Sequence, residues 1–226
     1  MAVKNSNAAL PEIKPIEMVD IPLHVVGDSP LIVHAWSEKA KRMMLDAQMG
    51  KKAGTKKEPK NPTEDFIRSL YWLTPVPTEY TIEGFNAAIA QGARFGFPIT
   101  ALKQSAISAA YRMGWVKDKA SLRGAFFLDA NGPDGQNADL FEIKGSAPVS
   151  REDMVRIGMG TADIRYRGQF DPWHADIILR YNKNGQYNLE NLLNILNAGG
   201  AVCGIGEWRP EKDGRFGMYH IETVSE

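Results

Sequence analysis

The sequence has a single cysteine in 226 residues and no excess of either charge. One cysteine, Cys203, excludes a disulfide bond within the chain and is typical of a protein from a reducing compartment. Basic and acidic residues number 27 each, so the chain as a whole is not expected to attract nucleic acid. Any binding of a polyanion must therefore come from local groups of cations.

Long apolar runs are absent as well. No run approaches the roughly 20 apolar residues with which a helix crosses a bilayer. The N-terminus also lacks the apolar core of a secretory signal. We therefore expect a cytoplasmic protein with no membrane partner.

Metal-binding and catalytic groups are sparse. The histidines, His24, His34, His174 and His220, are scattered through the sequence without an evident base partner, whereas a metal site needs clustered ligands. Cys203 lies in an apolar stretch, where an inert buried thiol is far more common than a nucleophile. Neither a Walker loop nor a dinucleotide-binding fingerprint is present. The sequence predicts a protein that is not an enzyme and has no metal and no cofactor.

The apolar pattern predicts one domain over residues 16–226, preceded by a flexible, proline-containing arm over residues 1–15. A basic insertion loop interrupts this domain around residues 50–62, where lysines lie among small residues without any apolar periodicity. Such a segment is either a solvated loop or a phosphate-binding one. The candidate phosphate ligands in it are Lys51, Lys52, Lys56 and Lys57.

Strand and helix periodicities alternate along the chain and predict an α+β fold with half-buried antiparallel strands. Strands are expected within residues 16–36, on either side of a turn at 27–30, and at 123–128, 141–143, 161–167, 173–181 and 218–223. Helices are expected to begin near Ser37, Pro62, Thr81, Thr100 and Asn188, with a short helical turn at 150–156.

The C-terminal unit carries the clearest local signals. Asn188 is a suitable N-cap for an apolar helix, because its side-chain oxygen can accept a free amide of the first turn. Gly199 and Gly200 are expected to end that helix, since glycine enters the left-handed conformation without a clash. A short strand at 201–203 should then lead into a glycine-rich loop over residues 204–217.

This loop combines cations with aromatic rings. Arg209, Lys212 and Arg215 supply positive charge, and Trp208, Phe216 and, just after the loop, Tyr219 supply flat faces. Backbone donors, cations and rings on a pliant loop suit the phosphates and unstacked bases of a single strand. The alternative is a long hairpin whose glycines serve the turn and whose rings fill the core.

Two segments, residues 96–103 and 204–217, resemble segments of a known family, and they occur in the same order along the chain. The first looks like the loop into the first helix, and the second like the C-terminal glycine-rich loop, of the RAMP superfamily, which includes the Cas7-type backbone subunits of CRISPR effector complexes. The run from residue 151 to the C-terminus is also similar to proteins of tailed phages and prophages. The resemblance implies a ferredoxin-like, RRM-type antiparallel sheet core with helical and loop insertions. The histidine placement of the RNA-cleaving members is missing, so no nuclease activity is implied.

We therefore expect a non-enzymatic protein that binds single-stranded RNA or DNA, as a homo-oligomer of repeating protomers or a subunit of a larger assembly. Besides the loop lysines, backbone contacts are assigned to Lys103, Arg112, Arg165, Arg167, Arg209, Lys212 and Arg215, and stacking to Trp208, Phe216 or Tyr219. The alternative is a phage structural or protein-interaction protein with the same fold and no nucleic acid. The balanced charge and the methionine-rich helix after Ser37 favour that alternative.

Overall fold

The computed structural model describes residues 15–36, 38–50, 59–130, 139–157 and 160–223. Residues 1–14 of the expected arm lie outside these ranges, as do the four candidate lysines of the basic loop, Lys51, Lys52, Lys56 and Lys57. The described chain is a mixed α/β structure with a mostly antiparallel sheet and several helices, so the predicted α+β class is confirmed. Within it, no helix combines the length and the apolar character that crossing a bilayer requires.

The larger sheet has seven strands, all paired antiparallel. Its order is β10 (Tyr219–Thr223), β1 (Met18–Gly27), β9 (Trp173–Asn182), β6 (Leu140–Gly145), β4 (Phe95–Pro98) and β3 (Tyr71–Trp72), and β5 (Phe126–Ala130) also pairs with β9. Strand β9 alternates as predicted, since Ala175, Ile177 and Leu179 are buried and the residues between them are only partly covered. This alternation fixes which face of the sheet meets the helices.

The smaller sheet has the order β2 (Leu31–Val33), β8 (Thr161–Phe170) and β7 (Val149–Ile157). The prediction of a helical turn at 150–156 is wrong, because this segment pairs with β8 over its whole length in a long hairpin. The alternation in β8 also has an unexpected direction. Arg167 on the charged side is buried, at 3% exposed, and Asp163 and Arg165 are partly exposed, whereas Ile164 on the apolar side is 43% exposed.

Six α-helices are described: α1 (Glu38–Gln48), α2 (Pro62–Arg68), α3 (Ile82–Ala90), α4 (Ile99–Arg112), α5 (Ala120–Arg123) and α6 (Leu189–Ala198). Three of them, α2, α3 and α6, begin at a residue whose side chain caps the first turn. Asn61 accepts from the amide of Glu64 at 3.3 Å, and Thr81 accepts from that of Gly84 at 3.0 Å. The predicted cap at Asn188 is confirmed by a 2.8 Å bond from the Asn191 amide.

The glycine pair after α6 acts differently from its prediction. Gly199 keeps a helical conformation with φ −54°, and Gly199–Cys203 forms a π-helical turn instead of a strand. The left-handed residue comes later, at Gly204, with φ 63°. Side chains are excluded at this turn because a Cβ at Gly199 would lie 2.7 Å from the Ala106 amide nitrogen of α4, and one at Gly200 would overlap the Tyr219 carbonyl oxygen.

Helices α4 and α6 pack against β1 and β9 and form the centre of the core. Leu102 and Leu192 of the helices are fully buried with Leu23 and Ile177 of the strands. Tyr219 is predicted from the sequence to stack on a base, but it is only 1% exposed, so its ring is part of the core and is not available to a base. Its hydroxyl lies 2.7 Å from the Ser105 hydroxyl oxygen, which itself donates to the Leu102 carbonyl at 2.9 Å. Ser105 therefore accepts the proton of Tyr219.

We expect Ser105→Ala to destabilise the fold more than Tyr219→Phe. The first change leaves the buried Tyr219 hydroxyl without an acceptor and should cost about 1–3 kcal/mol of unfolding free energy. The second leaves Ser105 its bond to Leu102 and should cost about 0.5–1.5 kcal/mol. Urea unfolding of both variants and of the double variant measures the difference. A larger loss for Tyr219→Phe would contradict this assignment of the proton.

Candidate functional site

The glycine-rich loop over residues 204–217 is folded back onto the strand β2. Its two ends meet where the Ile205 amide donates to the Gly217 carbonyl at 2.9 Å. The Glu207 amide donates to the Ile32 carbonyl, also at 2.9 Å, and so ties the loop to the smaller sheet. These bonds give the loop one defined position beside helix α4.

Part of the predicted ring and cation set is displayed on this loop. Trp208 is 39% exposed. The Phe216 ring contacts two guanidinium groups. Its centroid lies 4.7 Å from the Cζ atom of Arg151 and 5.9 Å from the Cζ atom of Arg215. Arg215 and Lys212 are exposed and are in no ion pair with the residues that the structure describes. These side chains are available to a ligand.

Two other predicted cations share one carboxylate. Arg209 donates to Glu211 at 2.9 Å, and Arg112 from the end of α4 donates to the other oxygen at 2.9 Å. Burial raises the pKa of the Glu211 carboxyl, but the hydrogen bond and charge of Arg209 and the charge of Arg112 lower it by more in total. The trio therefore keeps one net positive charge, and neither arginine is a free phosphate ligand.

Arg167 and Lys103 are bound by other groups of the same chain. The buried Arg167 guanidinium lies 3.0 Å from Asp153 on β7 and 3.3 Å from Glu207 on the loop. Lys103 donates to the Arg123 carbonyl at 2.8 Å, and burial lowers the pKa of its ammonium group. In this structure both cations, predicted from the sequence to bind phosphate, are occupied by contacts within the chain.

Two neighbouring cavities, of about 410 Å³ and about 360 Å³, lie beside the loop. They share three lining residues, His34, Trp36 and Glu207, and we call the combined space the groove. Trp36 is 61% exposed and lies at the junction. His34 and Trp36 are not among the binding residues predicted from the sequence, because the segment after β2 carries no periodic or motif signal.

The first cavity lies between α2 and the free edge of β8. Lys60 donates to Asp163 at 2.6 Å and also to the Ile164 carbonyl. The hydrogen bond from Lys60 is the largest cause of the lowered pKa of the Asp163 carboxyl. Arg165 lies farther from Asp163, at 3.6 Å, so it can turn to a ligand at little cost. Arg165 is the predicted residue that the groove presents most directly.

The second cavity lies between α4 and the glycine-rich loop. Gln104 and Ser108 line it from the helix, and the backbone of Gly204 and Gly206 lines it from the loop. His34 stands where the cavities meet, and burial and the nearby Arg167 lower the pKa of its imidazole despite the opposing charge of Glu207. The imidazole is therefore neutral at neutral pH.

Two histidines have carboxylate partners that the sequence did not reveal. His24 Nδ1 lies 2.7 Å from Asp176, and His220 Nδ1 lies 2.7 Å from Asp28. The expectation that the histidines lack partners is therefore wrong, because antiparallel pairing brings together residues more than a hundred positions apart. The hydrogen bond to Asp28 raises the pKa of His220. No group of three or more potential metal ligands occurs within the ranges that the structure describes.

Asp153→Asn is expected to destabilise the protein by about 3–5 kcal/mol at neutral pH, because it leaves Arg167 with a buried charge and one partner fewer. Burial raises the pKa of Asp153, but the hydrogen bonds from Arg167 and Arg151 lower it by more in total. A carboxyl whose folded pKa is depressed stabilises above its unfolded value, about 3.9, and loses this contribution as the pH falls through the folded value. The difference in unfolding free energy between the wild type and the Asp153→Asn variant should therefore shrink below about pH 4.

Urea unfolding at neutral and acidic pH measures this effect. The matched control is Asp163→Asn on the neighbouring strand, whose ion pair with Lys60 is partly exposed and should be worth less than about 1 kcal/mol. Equal losses in the two variants would contradict the role given to Arg167.

Comparison with protein-family models finds no match, and comparison with curated proteins finds no similar sequence.

Proposed function

We propose that this protein binds single-stranded nucleic acid, RNA or DNA, along the groove, without catalysing a reaction, and that protomers assemble side by side along the strand. One observation carries the proposal. The segments 96–103 and 204–217, on which the family resemblance rests, are about a hundred residues apart and line the same cavity through Phe97, Ala101, Gly204, Gly206 and Arg209.

The order of the central elements supports a ferredoxin-like, RRM-type core for the proposed single domain. Strands β10, β1, β9 and β5 are neighbours in that order. Helix α4 lies in the chain between β1 and β5, and α6 lies between β9 and β10. This is a β-α-β-β-α-β arrangement with every neighbouring pair antiparallel. Segments 31–98 and 140–170 then become insertions, and they supply one side of the groove. The same order favours the RAMP-type, Cas7-like relationship.

The charges along the groove set the expected strength of binding. The cavity walls carry the cations Lys60, Arg68, Arg165 and Arg209 and the acids Asp65, Asp163, Glu207 and Glu211. Because these charges balance, phosphate contacts are expected mainly from Arg165 and from Lys212 and Arg215 on the adjoining loop, which gives about three contacts and a log–log salt slope near −2. The rings of Trp36 and Trp208 should then supply much of the affinity, at about 1–3 kcal/mol per stacked base.

Trp36→Ala is expected to weaken binding of a short single-stranded oligonucleotide by roughly 5- to 150-fold, since one stacked base is lost. Arg165→Gln should weaken it less and reduce the salt slope by about 0.7, the amount expected for one phosphate contact. Fluorescence anisotropy across a salt series measures both quantities.

Arg180→Gln is the matched control for the arginine, because Arg180 pairs with Asp20 at 2.7 Å on the opposite face of the larger sheet. It removes the same charge and should leave affinity and slope unchanged. Equal weakening by Arg165→Gln and Arg180→Gln would show that any cation suffices, and the groove assignment would then be wrong.

A second candidate function, protein binding without nucleic acid, is favoured by a third cavity. It has a volume of about 780 Å³ between the end of α4 and α6, and no charged residue lines it. Trp115 and Met113 are among its exposed apolar residues. Exposed apolar patches commonly mark protein interfaces. An absence of oligonucleotide binding at low salt would favour this candidate over the groove.

A further inference from the structure

A fourth cavity lies on the other side of Trp36 and differs from the first three in the charge of its walls. Its volume is about 570 Å³, inside the range of about 300–1,000 Å³ for ligand sites. The first two cavities carry carboxylates on their walls, and the third carries no charge. Within the described chain, the fourth is lined by two cations, Lys41 and Arg68, and by no acidic residue. Its charge therefore favours an anionic ligand.

Aromatic side chains form much of the wall of this cavity. Four rings line it, those of Trp36, Tyr71, Trp72 and Tyr80. Trp72 is held in place, because its indole N–H donates to the Ile67 carbonyl at 2.8 Å and its ring centroid lies 4.7 Å from that of Phe95. Trp36, in contrast, is 61% exposed and also lines the groove. Rings that are partly fixed and partly exposed suit a flat ligand ring, which stacks on them.

Arg68 supplies the group that binds an anion. It lies in the last turn of α2, and its Cζ atom is 4.2 Å from the centroid of the Tyr80 ring. Its Nε donates to Glu64 at 2.8 Å, in a partly exposed pair within one helix that contributes little to stability. Its two terminal nitrogens make no hydrogen bond with the residues that the structure describes. Parallel N–H groups of this kind bind a phosphate through two hydrogen bonds.

We propose that the fourth cavity binds a ligand that joins an aromatic ring to a phosphate, namely a nucleoside phosphate. The ring stacks on the aromatic wall, and the phosphate accepts hydrogen bonds from Arg68. No base is preferred, because every base has a face that stacks. Two sources supply this chemistry, a free nucleotide and the phosphorylated end of a strand that lies in the groove. The pocket does not depend on the function proposed for the groove, since its rings and cations suffice for a free nucleotide.

The test measures the binding of uridine 5′-monophosphate, uridine and inorganic phosphate to the whole chain by isothermal titration calorimetry at low salt. The monophosphate should bind at least about tenfold more tightly than uridine, the lower end of the range for hydrogen bonds to a charged group. It should bind roughly 5- to 150-fold more tightly than inorganic phosphate, because one base stacks. Equal affinity for the monophosphate and either of its parts overturns the pocket.

Two variants assign the two parts of the ligand to their contacts. Arg68→Gln should reduce the affinity for the monophosphate to that for uridine, and Tyr80→Ala should weaken both ligands about fivefold or more. The matched controls are Arg180→Gln on the larger sheet and Tyr111→Ala on α4, whose exposed ring also lies near a cation, with Lys119 Nζ 5.6 Å from its centroid. Equal losses in a variant and its control overturn the assignment. Arg68 and Tyr80 are partly exposed, so an unchanged midpoint of urea unfolding shows that lost binding is not a lost fold.

A uridine trinucleotide with and without a 5′-phosphate distinguishes the two sources. Because Arg68 also lines the first cavity, the difference between the two strands is the quantity to compare. Tighter binding of the phosphorylated strand that Arg68→Gln removes assigns the pocket to a strand end. Equal binding of the two strands, with the monophosphate still bound, assigns it to a free nucleotide.

The outcomes also separate this inference from the proposed function. Strand binding that depends on Arg165, without any binding of the monophosphate, overturns the pocket and keeps the function proposed for the groove. Binding of the monophosphate that depends on Arg68 and Tyr80, without any binding of a longer strand, overturns the proposed function and keeps the pocket.

Discussion

The buried guanidinium of Arg167 is the contact on which the arrangement of the groove depends. It joins Asp153 on β7 to Glu207 in the glycine-rich loop, so it links the smaller sheet to the segment that closes the core. A buried ion pair contributes little net stability compared with apolar packing, but removing one partner is costly. Its main effect here is to fix the distance between β8 and the glycine-rich loop. Trp36 therefore stays exposed between them.

The positive charges around the groove are largely neutralised by carboxylates of the same chain. Most cations near it are paired with carboxylates of the same chain, as Arg209 and Arg112 are with Glu211. A surface of this kind does not attract polyanions over long distances, which agrees with the balanced charge of the whole sequence. Selectivity must then come from rings and hydrogen bonds at short range. Trp36 should therefore contribute more to selective binding than the lysines and arginines.

The regular elements could be predicted because their signals are local. The alternation in β9 and the cap at Asn188 each depend on a few consecutive residues. The wrong predictions share one cause, which is contact between elements that are far apart in the sequence. The π-helical turn at Gly199–Cys203 follows from the close approach of α4 and β10, and an apolar triplet cannot reveal that approach. The segment 150–156 reads as helical by itself and becomes a strand because β8 pairs with it.

The candidate site was harder to predict than the fold. Trp208, Arg215 and Phe216 were predicted from composition, since cations, rings and glycines stand close together in the sequence, but they lie on the loop and do not line either cavity of the groove. Trp36 lines both cavities together with Glu207 of the loop, and only folding brings these two residues together. The ion pair of Arg209 could have been predicted from the sequence, because Glu211 stands two positions after it. The burial of Arg167 had none, because its partners lie on other elements.

Ultraviolet crosslinking of a single-stranded oligonucleotide to the protein, followed by mass spectrometry of the linked peptides, tests the central claim most directly. Binding along the groove predicts crosslinks to Trp36 and Tyr71, which line it, and to Trp208 and Phe216 on the adjoining loop. Crosslinks confined to the face of the larger sheet that carries His24 and His174, or to Trp115 beside the third cavity, would contradict it.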